Sequence, residues 1–181
     1  FGFIGRIGIA EATLREATAT HGVGYNVLAR VLANADKPVE ARTVLEDAIA
    51  EHPTEGMYRV VLAELMVEWG QLDEAHTVLD QVEANMESVK APTVVNFFAA
   101  IVRSDAFREA GEFEEALEVL HATDTRIRFG KYKDYFPTPD MFHAAALGKA
   151  YIGIEDWGAA ERHLLDAIEA QPYRHANMWL L

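Results

Sequence analysis

The sequence predicts an all-α solenoid, a row of antiparallel helix pairs, and three observations lead there. First, a short frame recurs five times in the 181 residues: a glycine or acidic residue, a bulky side chain two places on, and an alanine three further on. Gly5-x-Ile7-x2-Ala10, Gly70-x-Leu72-x2-Ala75 and Gly111-x-Phe113-x2-Ala116 carry the glycine, while Asp36-x-Pro38-x2-Ala41 and Glu155-x-Trp157-x2-Ala160 keep the frame without it. Second, each alanine opens A-x3-L-x2-[AVT], as in Ala10/Leu14/Ala17, Ala41/Leu45/Ala48, Ala75/Leu79/Val82, Ala116/Leu120/Thr123 and Ala160/Leu164/Ala167. Third, another helix-period pattern lies upstream of the frame, for example Tyr25-x2-Leu28-Ala29-x2-Leu32 and Ala144-x2-Leu147-Gly148-x2-Tyr151. Apolar residues at i, i+3, i+4 and i+7 put one stripe of each helix against its partner. Self-similarity at this length means stacked helical hairpins.

The frame alanines stand at 10, 41, 75, 116 and 160, so the spacings are 31, 34, 41 and 44 residues. The chain therefore divides into a partial unit at 1–21, full units at about 22–55, 56–92, 93–139 and 140–174, and a partial unit at 175–181. Within each full unit a small residue recurs in the first helix (Ala29, Ala63, Ser104, Gly148) and an alanine in the second. Small side chains let two helix backbones approach closely, and a larger one there overpacks at a cost of about 1–3 kcal/mol. The frame glycines are expected to cap the first helix with positive φ. Pro53 and Pro172 stop the second helix and turn the chain into the next pair. By the same logic Leu45→Ala and Leu164→Ala should each cost about 2–5 kcal/mol.

The long spacings imply extra residues, about seven around Glu87–Thr93 and about ten in Asp124–Asp140, which call for longer helices or a real loop. At the ends, Phe1 falls in the aromatic slot of a first helix that is otherwise absent, and Ala176–Leu181 begins another first helix. Neither end carries the polar cap that a solenoid end needs. The segment is therefore expected to be an excerpt of a longer array, or to pack its ends on another chain.

Composition narrows the function. The net charge of −13, from 16 Lys+Arg against 29 Asp+Glu, repels phosphate backbones and anionic lipid, so nucleic acid is not the expected partner. No apolar run reaches the ~18–20 residues of a membrane span, so no membrane insertion is expected. Zero cysteines exclude disulfides, thiolate metal sites and a cysteine nucleophile. A soluble protein follows, with the cytoplasm favoured and a periplasm equally compatible with the cysteine count.

These residues resemble the tetratricopeptide repeat, whose pattern runs W-x2-L-G-x2-Y, then A-x3-F, then P, and the likeness covers nearly the whole chain. The third unit departs from it, with Arg103 in place of a leucine and Ala100 where an aromatic often sits. The resemblance implies a right-handed superhelix whose first helices line a concave, partner-binding side.

The faces so placed carry Val23, Asn26, Arg30 and Asn34, then Met57, Val60, Glu64 and Val67, then Phe98, Ile101, Asp105 and Arg108, and finally Phe142, Ala145, Lys149 and Ile152. Members three, four or seven apart share one side of a helix. The middle of this surface is apolar. Two readings fit it: a groove for an amphipathic helix or apolar peptide, rimmed by Asn26, Arg30, Glu64, Asp105 and Lys149, or side chains packed on the neighbouring repeat. The basic carboxylate clamp of chaperone-binding family members is not matched, because Val60 and Glu64 occupy the middle face. A second candidate contact is the insertion with Arg126, Arg128, Phe129, Lys131, Tyr132 and Tyr135. Its basic residues interleave with aromatics that can grip an acidic partner, or pin a long loop to the body.

Chemistry finds little footing. Gly2-Phe3-Ile4-Gly5-Arg6-Ile7-Gly8 lacks G-x-G-x-x-G and a preceding strand, so no dinucleotide cofactor is expected. The seven histidines form neither H-x3-H nor H-E-x2-H, so no metal is expected either. No catalytic set of Ser, His and Asp can be assembled, and the carboxylates fall on outward helix faces. The expected function is a non-catalytic scaffold that binds a protein or peptide in its concave groove, with Phe98, Phe142 and Arg30 as anchors. The alternatives are a substrate-positioning region of a larger enzyme, and a self-assembly module forming homo-oligomers through open ends.

Overall fold

The computed structural model describes residues 2–123 and 139–170, with side chains from residue 8 in the first stretch and from 140 in the second. Among the described residues there are α-helices, one 3₁₀ turn and no strand. The insertion residues Arg126, Arg128, Phe129, Lys131, Tyr132 and Tyr135, and the last partial unit, lie outside them.

Two compact units divide the chain, Phe1–Pro92 and Thr93–Leu181. The first holds α1 (Gly2–His21), α2 (Tyr25–Asn34), α3 (Pro38–Glu51), α4 (Gly56–Glu68), α5 (Leu72–Ala84) and a 3₁₀ turn (Met86–Ser88). The second holds α6 (Pro92–Ala110), which opens on the last residue of the first unit, then α7 (Phe113–Ala122), α8 (Pro139–Gly153) and α9 (Trp157–Glu169). Short connections join α2 to α3, α4 to α5 and α8 to α9, and each of these pairs packs as an antiparallel hairpin.

One set of backbone bonds builds the turn inside each pair. The N–H groups of Asp36, Gly70, Gly111 and Glu155 donate to the carbonyls three residues back. Those of Lys37, Gln71, Glu112 and Asp156 donate to the carbonyls five residues back, all eight bonds being 2.8–3.1 Å long. This is the Schellman termination, and it needs a left-handed residue at the first position of each couple. The backbone obeys in all four turns: φ is 59° at Asp36, 74° at Gly70, 82° at Gly111 and 60° at Glu155. The acidic variants of the frame thus share the glycine conformation, at the steric cost an L-residue incurs there. The second helix then starts at Pro38, Leu72, Phe113 and Trp157, and the N–H groups of Ala41, Ala75, Ala116 and Ala160 close its first turn on the carbonyls of Lys37, Gln71, Glu112 and Asp156. Only at α9 does a side chain cap this start, Asp156 Oδ1 accepting from the Ala159 N–H at 3.0 Å. Glu155→Gly removes the left-handed penalty while keeping both turn bonds, so it should stabilise the protein by about 0.5–1 kcal/mol. An unchanged or lower urea midpoint would contradict that expectation.

The recurring small residues are packing sites, as expected. Ala29, Ala63, Ala41, Ala75 and Ala116 are fully buried, and Ser104 and Ala160 nearly so. At Gly148 an added Cβ would stand 2.6 Å from Leu164 Cγ, closer than side chains approach. Leu45, Leu79 and Leu120 are fully buried beside them. Helix α4 is the most deeply buried of the first unit, from Val60 to Ala63 and from Leu65 to Val67, because these apolar runs span more than one face of it. The extra residues before the third unit divide between the 3₁₀ turn and a 19-residue α6.

The first frame behaves differently. Helix α1 runs unbroken through Gly5, so no capping turn forms there and the expectation of a C-cap at Gly5 is corrected. A glycine inside a helix costs only ~1 kcal/mol, less than breaking a 20-residue run of backbone bonds.

Candidate functional site

The residues expected to line one groove fall in two units, and each set has its own geometry. In the first unit, Asn26 and Met57 are half-buried, but Val60 is 2% exposed and Val67 9%. Both valines belong to the packed interior, which corrects Val60 as a contact residue: Val60–Ala63 and Leu65–Val67 cover more than one face of α4, and all of them are buried. Arg30 is not a free anchor either. Its guanidinium, on α2, holds the Glu64 carboxylate of α4 through two bonds, one of them 2.7 Å long. Such half-exposed pairs contribute ~0–1 kcal/mol, so this one fixes register more than stability. Beside it Arg30, Ala33, Asn34, Leu65 and Glu68 line a small cavity of about 70 Å³. Partial burial raises the Glu68 carboxyl above its ordinary range, Glu64 adds to the shift, and Arg30 opposes it.

Matching ion pairs join the second helices of this unit, Arg15 on α1 to Glu40 on α3 and Arg42 on α3 to Glu74 on α5. Sequence spacing gives no sign of these couplings, because partners 25 and 32 residues apart meet only once the hairpins stack.

In the second unit the predicted residues do meet. Phe98 on α6 and Phe142 on α8 touch edge to face, with ring centres 5.4 Å apart at 74°. Phe97, fully buried, stands edge-on to Phe98 at 5.2 Å. Phe98 and Phe142 are each half-buried, as is Ile101, one turn along α6, which rests on the core of Ala116, Leu120 and Leu147. Asp105 is tied to Arg108 at 3.2 Å, whereas Lys149 is exposed on α8. The result is a half-open aromatic surface over a firm floor, with charge further along the same helices. It can bind; among the described residues it assembles no set of acid, base and nucleophile.

Sequence reasoning missed one gathering. His121 on α7 and His163 on α9 flank Tyr151 of α8, and His143, also on α8, lies close enough to His163 to act on its charge. The Tyr151 and His163 rings stack at 5.3 Å, and Tyr151 Oη lies 3.3 Å from His121 Nε2. Burial lowers the His163 imidazole pKa, and Arg162 lowers it further. No local motif could announce this, since the two histidines and the tyrosine they flank sit on three different helices. Among the described residues no group of His, Cys, Asp or Glu is placed to hold a metal ion, and no helix is long and apolar enough to cross a membrane.

Helical hairpins with Schellman turns and paired small residues define a helical-repeat protein. A family model described as tetratricopeptide repeat matches residues 25–87. No curated protein and no solved structure matches the chain. The repeat family is generally non-catalytic and points to a protein–protein interaction scaffold.

Proposed function

We propose that this chain is a non-catalytic scaffold that binds a partner peptide or helix, and that the α6/α8 face of the second unit is where it binds. The observation that supports this most is the Phe98–Phe142 pair, half-open to solvent at 5.4 Å on a buried floor. Aromatic anchors that are pre-packed lose little rotamer entropy on binding, which is why a few such residues dominate interface energies. Lys149, seven residues after Phe142 on the same helix, offers a polar rim.

The test is capture of partners from a lysate of the native host on immobilised protein, followed by titration of the purified partner. Phe98→Ala/Phe142→Ala should weaken binding by at least about tenfold, roughly 1.4 kcal/mol, with helicity retained. Undiminished affinity in a folded double variant removes this face from the function.

A further inference from the structure

Helix α9 is held in place by little apolar surface. Its buried side chains are three alanines, Ala159, Ala160 and Ala167. Trp157, Leu165 and Ile168 are exposed along an open groove on α8/α9, with the half-buried Leu164 in its floor. One other side chain of α9 is half-buried, His163, and it lies flat on Tyr151 of α8, the ring planes 5° apart and the centres 5.3 Å apart.

Two more imidazoles join α8 to α7 beside this stack. Tyr151 Oη lies 3.3 Å from Nε2 of His121 on α7. His143 of α8 donates from Nε2 to the Leu120 carbonyl of α7 at 2.7 Å, because a carbonyl can only accept. Acid turns this meeting of rings into a meeting of like charges, since an imidazole takes up a proton at about pH 6.5 in water. The surroundings of His163 oppose its cation: burial first, then Arg162 beside it on α9, and then His143 from α8 and His121 from α7 once they are charged. Asp166, one turn on, is the one group among them that favours it. Glu118 and Asp140 are exposed one turn before His121 and His143 and can balance their charges, whereas at His163 the charge of Asp166 is matched by that of Arg162. Lys149 and Glu161, two positions before the stacked rings, lie on other faces of α8 and α9.

We infer that His163 is an acid-sensitive clasp: neutral, it holds α9 on Tyr151 of α8, and protonated, it lets the α8/α9 hairpin loosen. A group that folding holds below its unfolded titration range contributes stability that is complete above that range and is lost as pH falls through the folded value. Mild acid therefore weakens this helix pair, whose three buried alanines give little to oppose the loss. The clasp makes no use of the α6/α8 binding face, and either reading can fail alone.

Two measurements on the purified chain test it. In an NMR titration of the imidazole Cε1–H signals, assigned with His121→Gln, His143→Gln and His163→Gln, His163 should take its proton at lower pH than the imidazoles of the urea-unfolded chain. Urea midpoints are then compared at about pH 7.5 and about pH 5 for the wild type and His163→Phe, which keeps a ring on Tyr151 but takes no proton. Lowering the pH should drop the wild-type midpoint relative to that of His163→Phe. Every other titrating group is shared, so this difference reads His163 alone. His163→Gln, without the ring, should show the same relative gain in acid, which guards against a phenylalanine that packs poorly. A His163 that titrates at or above the unfolded imidazoles would mean that the stack holds the cation, and would overturn the inference. A midpoint difference that does not change with pH would overturn it as well, by placing any acid sensitivity elsewhere.

Discussion

Leu45→Ala should cost about 2–5 kcal/mol, and Leu164→Ala, at the same place in the repeat, only about 1 kcal/mol. The two leucines share the frame A-x3-L and differ in cover. Leu45 is fully buried in α3, between Ala41 and Ala48, which are buried as completely. Truncation there removes the transfer energy of three carbons and leaves a void that rigid helices cannot close. Leu164 is half-exposed at the floor of the α8/α9 groove, so water enters the space and the cavity contribution is lost. Urea titrations of the two variants should separate them by more than 1 kcal/mol. The difference in cover corrects the equal values expected from sequence; equal losses would mean that repeat register alone, and not cover, sets the cost.

Gly153→Ala is expected to destabilise the protein by about 1–3 kcal/mol, although alanine is the better helix former. The Phe113 ring at the start of α7 lies against Gly153 at the end of α8. A Cβ there would fall 2.1 Å from Phe113 Cδ1 and 2.3 Å from Cε1. The ring must swing out, exposing itself and opening the turn side of α7. Helix propensity favours the substitution by ~1 kcal/mol at most, and less at a helix end, so the clash wins. The cause is checked by a double-mutant cycle. In a Phe113→Ala background the methyl group has room, and Gly153→Ala should become neutral or mildly stabilising. If the cost persists without the ring, contact between these two residues is not its origin.

Much of the fold was legible because repetition amplifies weak local signals. One Gly-x-Leu-x2-Ala proves nothing, but recurrence placed turns at Asp36, Gly70, Gly111 and Glu155, and all four adopt the left-handed conformation. Gly5 carried the same letters and joined a continuous helix, so the frame alone does not make a turn. The candidate site was half legible. Phe98 and Phe142 lie 44 positions apart in the sequence and meet because each stands on the same face of a first helix. Val60 occupies that face too, yet is interior, because the burial of a residue depends on what surrounds its helix.

The sequence by itself determined the all-α class, the hairpin turns and the positions of the small residues, since these follow from backbone conformation and nearest-neighbour volume. Tertiary structure alone decided which apolar faces are covered, which cations are engaged, as Arg30 is with Glu64, and which histidines meet around Tyr151. Periodicity states where on a helix a side chain points. Only the packing of distant helices determines what it meets there.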